Sequence, residues 1–149
     1  MILKFIGGAL IISAGIVLGN SCNAVYCERL NVLERFHSFV IFCESEINYY
    51  RTELGTIIEK FKANGQKADD IIFNNKTSIN ISPECRKLID GFFRDIPTLD
   101  SDTQQYFFNK TKTETTQAII RAKSDIINKG KMLKKLLPII SIGIFILFL

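Results

Sequence analysis

The residues able to do chemistry in this chain are few and poorly spaced for it. Cys22, Cys27, Cys43 and Cys85 form no C-x-x-C pair, and His37 is the only histidine. A structural or catalytic zinc site wants paired cysteines or neighbouring histidines. Cys22 and Cys27 lie five apart and Cys43 falls on an apolar helical stripe, so the four thiols read as free, buried or membrane-proximal groups. His37 sits between Phe36 and Ser38 with no nucleophile or carboxylate signature beside it, which marks a surface or boundary histidine rather than a general base. Asp69-Asp70 and Asp100-x-Asp102 are turn or cap acids and lack the fuller ligand pattern of an EF-hand. Glu44 and Glu46 are two apart and cannot face each other on a helix. No glycine-rich phosphate loop is present, so the chain is not expected to hydrolyse ATP. The expectation is a non-enzyme with no catalytic, cofactor-binding or metal-binding residues, no cofactor and no small-molecule substrate.

The elements around these residues point to a membrane. Ile2 to Leu18 reads ILKFIGGALIISAGIVL with Lys4 as its only charge, and Leu136 to Leu149 reads LLPIISIGIFILFL with none. At about 1.5 Å per residue the first run is roughly 26 Å long as a helix and the second roughly 21 Å. A bilayer core is about 30 Å thick, so the first nearly spans, and the second reaches further if Leu133 joins it and Lys134 and Lys135 snorkel. The first run has the lysine-then-apolar order of a secretory signal, the alternative reading, but no convincing small-x-small cleavage site follows it. We expect an uncleaved N-terminal transmembrane helix over 2–19, a helical domain over 20–135 and a C-terminal transmembrane segment over 136–149.

The middle of the chain has helical periodicity. Leu33, Phe36, Val40, Cys43, Ile47 and Tyr50 step by three and four, and the stripe resumes at Leu54, Ile57, Ile58 and Phe61. Tyr50 to Glu53 reads as a break with Thr52 as N-cap, and Asn64-Gly65 stops the next helix. A short helix is expected over 68–73 and a loop over 74–82. Ser82-Pro83-Glu84 opens a further helix carrying Leu88, Ile89, Phe92 and Phe93, which ends near Asp95 because Pro97 disfavours helix before it. Ser101 with Gln104 is a possible capping box for a last helix running toward the C-terminal apolar run, with a bend at Gly130 or Pro138. The fold class is all-α, an antiparallel helical bundle flanked by transmembrane helices.

Charge is uneven. Residues 110 to 135 hold eight basic side chains and two acids, whereas the whole chain is only +4. Lys129, Lys131, Lys134 and Lys135 crowd the N-terminal side of the second apolar run, as residues that touch lipid headgroups would. The positive-inside rule then places the central domain in the cytoplasm. Nucleic acid is not an expected partner, because no motif and no aromatics interleave with the lysines. Gly8, Gly15 and Gly19 lie on similar faces of the first run, where small residues let membrane helices approach closely. At the end of the first long helix, Glu46 and Tyr49 lie three apart and off the main stripe. With Glu44 and Thr52 they make a candidate partner surface. The alternative is an intradomain hydrogen bond that fixes the turn at Thr52.

The opening MILKFIGGALIISAGIVLG, the helix Glu44-x-Glu46-Ile47-x-Tyr49-x-x-Thr52-x-Leu54 and the closing KGKMLKKLLPIISIGIFILFL resemble stage III sporulation protein AB. Glu53 and Gly55 stand where that family has turn prolines. The resemblance implies a part in endospore formation, within a transport-like complex in the membrane between mother cell and forespore. It implies a fold similar to the helical cytoplasmic domains of secretion and pilus platform proteins. It also implies a secretion-type ATPase partner, stage III sporulation protein AA, and a central domain on the mother-cell side of the cell membrane. The alternative is a membrane-tethered structural or regulatory helical protein unrelated to sporulation.

Overall fold

The structure, a computed structural model, describes residues 2–65 and 82–148, and every regular element in that range is helical. Helix α1 runs over Ile2–Tyr50, α2 over Leu54–Ala63 and α3 over Pro83–Asp95, followed by a 3₁₀ turn at Ile96–Thr98. Helix α4 covers Ser101–Asp125, a π-helical segment covers Ile126–Gly130, and α5 covers Lys131–Phe148. The helix expected over 68–73, and all of the loop expected over 74–82 except Ser82, lie outside the described residues. The chain divides into two compact units: residues 1–28 with 122–149, and residues 29–121. The first gathers 20–28 and 122–135 with the apolar runs.

Unit 29–121 is built on phenylalanine. The α1 stripe buries Val32, Leu33, Phe36, Phe39, Val40 and Cys43. Ile57 and Phe61 come from α2, Ile89 and Phe92 from α3, Ile96 from the 3₁₀ turn and Phe108 from α4. The Phe39 ring meets Phe61 edge-on at 5.1 Å between centroids and lies 5.5 Å from Phe93, so one α1 side chain ties α2 and α3 together. Phe92 meets Phe36 at 5.5 Å and stacks on Phe107 at 5.8 Å, which joins α3 to α1 and α4. Such edge-on and offset contacts add about 0.5–1.5 kcal/mol each beyond the burial of area. One residue expected in the apolar stripe of α1 stands outside it: Tyr50 is 72 % exposed. Tyr50 is the last residue of α1, and the Lys60 ammonium lies over its ring at 5.6 Å, so the hydroxyl stays wet while the face packs on a cation.

The helix boundaries follow local chemistry. Arg51 adopts φ +50°, and this left-handed residue ends α1. Glu53, not Thr52, then occupies the N-cap of α2, with an extended backbone and no side-chain cap bond. Thr52 is used elsewhere. Gly65 takes φ +75°, which its lack of a Cβ permits, and follows the last turn of α2. Ser82 caps α3 by accepting from the Cys85 N–H at 3.3 Å, with Pro83 in the first turn. At the start of α4 the Asp100 carbonyl accepts from the Thr103 and Gln104 N–H groups, so Ser101 lies inside the helix rather than at its N-cap. Thr111 and Thr115 are buried on α4, and the Thr115 hydroxyl is satisfied by donating to the Thr111 carbonyl at 2.7 Å.

In unit 1–28 with 122–149, the last helical stretch carries a stripe of half-buried or buried positions at Ala122, Ile126, Gly130, Leu133, Leu137, Ser141 and Phe145, flanked by the half-buried Asp125 and Pro138. They recur on average about every 3.8 residues, against 3.6 for an α-helix. An unmodified α-helix would rotate that stripe away from a straight partner. The wider π turn at Ile126–Gly130 takes up the excess and keeps the stripe on one side. Pro138 remains inside α5.

Candidate interaction sites

Three groups of side chains carry the candidate functional surfaces. The first sits where α1 ends. Glu44 accepts two hydrogen bonds from Lys112 of α4, at 2.8 and 2.7 Å, in a partly buried ion pair. Glu46 is one turn ahead of the chain reversal and its Oε2 accepts from Lys60 Nζ at 2.5 Å and from Thr52 Oγ1 at 3.2 Å. The Thr52 N–H also donates to the Glu46 carbonyl at 3.4 Å. The hydrogen bond from Lys60, with that from Thr52, holds the Glu46 carboxyl below the ordinary glutamate range. Burial, by contrast, pushes the Cys43 thiol far up, so that this cysteine is an inert core group rather than a nucleophile. Tyr49 is 83 % exposed. Of the four residues singled out here, Glu44, Glu46 and Thr52 thus make contacts inside the unit, and Tyr49 is open.

The second group is the glycine face of α1. A methyl group at Gly8 would collide with the Phe145 ring, and one at Gly15 with the Ser141 side chain. At Gly19 it would lie 3.2 Å from the Lys134 Cα and 3.3 Å from the Lys134 carbonyl oxygen, so backbone meets backbone there. Ser141 is buried, and its hydroxyl donates to the Leu137 carbonyl at 2.9 Å. Farther along, Gly130 faces Asn23 and Tyr26 of α1. The order of these contacts shows the two segments running in opposite directions. Leu10, Val17, Leu18, Ile139, Ile140 and Ile146 remain exposed around the packed face.

The third group is basic. Lys129 pairs with Asp125 at 2.8 Å, one turn back. Lys131, Lys134 and Lys135 are exposed in the first turns of α5. Among the described residues, no group of three or more His, Cys, Asp or Glu side chains is placed to hold a metal ion.

These features define a helical protein with one helix, α1, long and apolar enough to cross a membrane among the described residues. The family model of stage III sporulation protein AB matches residues 4–78, half of the chain, and the chain belongs to that family. No curated protein and no solved structure matches it. The match covers α1, its glycine face and the turn at Thr52. Membership implies a role in sporulation and sets aside the reading of a protein unrelated to it.

Two outcomes follow from this geometry. Gly15→Ile should lower the thermal unfolding midpoint of the full chain in detergent micelles. Gly7→Ile, at a helical glycine with nothing within 4 Å of the added carbon, should leave it close to the wild type. Equal effects of the two would contradict the packing. The second outcome concerns pH. The Glu46 carboxyl is held below its usual 4.5, so its contribution to stability is present above that pH and is lost as pH falls through the lowered value. Denaturant titrations of the wild type and Glu46→Gln should differ at pH 7, and the difference should shrink below pH 4.5 and vanish once pH is below the lowered value.

Proposed function

We propose that this protein is a non-enzymatic membrane platform of the transport complex between mother cell and forespore. In this reading the N-terminal part of α1 and the apolar part of α5 both cross the membrane as an antiparallel pair, and unit 29–121 is a small helical bundle in the mother-cell cytoplasm. A secretion-type ATPase, stage III sporulation protein AA, and other complex subunits dock on that bundle. The observation that carries the reading is the family match over α1, together with the packing of its glycine face on α5. A platform needs no active site, only a fixed anchor and an accessible surface. Tyr49 and Tyr50 supply that surface: adjacent, 83 % and 72 % exposed, and at the end of the helix that carries the family match. Exposed tyrosines are favoured as interface anchors because a large rigid body and a hydroxyl are buried together. Glu44 and Glu46 support the surface indirectly, by fixing the end of α1 through Lys112, Lys60 and Thr52.

Binding of the ATPase to the full chain in nanodiscs tests this. Tyr49→Ala should weaken binding by about tenfold or more, the loss typical of an interface anchor, with the unfolding midpoint unchanged. Unchanged affinity would place the interface elsewhere, and no binding by the wild type would refute the docking role.

A further inference from the structure

The formal charge of the chain is segregated by unit. Residues 29–121 hold thirteen basic and thirteen acidic side chains, whereas residues 1–28 with 122–149 hold six basic side chains and two acids, hence the entire +4. Of those two acids, Asp125 is engaged by Lys129. Lys131, Lys134 and Lys135 follow at spacings of three and four, so helix geometry collects their ammonium groups on one side of the first turns of α5. They are exposed, and the facing stretch of α1 offers no acid between its amino terminus and Glu28. At Gly19 the α1 backbone packs against the Lys134 backbone, and Gly19 has no side chain that could reach over the lysine toward its ammonium group. Immediately beyond the lysines the exposed surface turns apolar at Leu136, Ile139, Ile140, Ile142 and Ile146. Tyr26 packs on Gly130, one residue before the cluster.

We propose that Lys131, Lys134 and Lys135 form a binding site for the phosphate of an anionic glycerophospholipid, whose acyl chains lie along the exposed apolar face of α5. The inference rests on the membrane reading above and adds a ligand to it. Cationic groups and apolar surface are adjacent in the order in which an anionic lipid presents phosphate and chains. A neutral zwitterionic lipid offers the same chains with its phosphate already compensated, and so gains less from three unpaired ammonium groups. Lys129 lies outside the site because Asp125 occupies it.

The test uses the full chain. Association with vesicles of pure phosphatidylcholine, resistant to carbonate, examines the membrane reading alone. Lipid retention by the detergent-solubilised protein, measured by native mass spectrometry with added phosphatidylglycerol or phosphatidylcholine, examines the site. Phosphatidylglycerol should be retained about fivefold or more over phosphatidylcholine, the value of a single well-placed lysine. The triple variant Lys131→Gln, Lys134→Gln, Lys135→Gln should bring the ratio close to one, and the corresponding triple arginine variant should keep it. Millimolar inorganic phosphate should not displace the lipid, since it lacks the chains. Equal retention of the two lipids by the wild type, or an unaltered ratio in the glutamine variant, would overturn the site while leaving vesicle association intact. Displacement by inorganic phosphate would reduce the cluster to a simple anion site and overturn the lipid assignment. Failure to associate with phosphatidylcholine vesicles would overturn both readings at their common base.

Discussion

The Phe92 ring is the contact on which unit 29–121 depends. Its centroid lies 5.5 Å from Phe36 and 6.3 Å from Phe39 on α1, 5.8 Å from Phe107 and 6.1 Å from Phe108 on α4, and 5.6 Å from Phe93 on its own helix. α3 has only thirteen residues, too few for stable helix in isolation, so its structure comes from this packing. Loss of one fully buried phenylalanine ring costs about 3–5 kcal/mol. That is a large fraction of the roughly 5–15 kcal/mol that stabilises a domain. The partly buried Glu44–Lys112 pair works beside this core: it holds one face of α4 against α1 at a defined register rather than supplying much net energy.

The apolar part of the molecule depends on a different constraint, close approach. If both segments cross a membrane, as proposed, there is little hydrophobic drive between them, and packing and small residues decide which faces meet. Gly15 and Gly19 remove the side chains that would hold α5 off, and Ser141 buries its hydroxyl by bonding to its own helix. The π segment at Ile126–Gly130 belongs to the same solution. It brings Gly130 onto Asn23 while keeping Leu137 and Ser141 on the glycine face. The Asn23 carboxamide oxygen is buried there without a partner, against Gly130, where any larger side chain would be obstructed.

Much of this was legible in the sequence, and the reasons are physical. The stripes in α1, α2 and α3 announced themselves because amphipathic periodicity is a direct consequence of burying one face, and Ser82-Pro83-Glu84 marked a helix start because each residue has a positional role there. Phe39 was less visible: it is off the simplest three-and-four stripe, yet it is fully buried because α2 and α3 cover an additional face of α1. Tyr50 fitted the periodic pattern but is the last residue of α1 and stays 72 % exposed. Thr52 looked like an N-cap by type, whereas the hydrogen bond to Glu46 draws its side chain back toward α1. Thr111 and Thr115 gave no apolar signal at all; the Thr115 hydroxyl is satisfied by closing on the Thr111 carbonyl of its own helix. The contacts at Gly8, Gly15 and Gly19 involve residues more than a hundred positions away, which spacing within α1 does not encode.

The central claim is that two antiparallel helices cross the membrane and carry unit 29–121 on the cytoplasmic side. It is tested most directly by a topology reporter in the full chain. A compartment-sensitive enzyme fused after Leu149 should report the extracytoplasmic side, and the same enzyme inserted between residues 74 and 82 should report the cytoplasm. The reverse pattern, or the same compartment at both positions, would contradict the account.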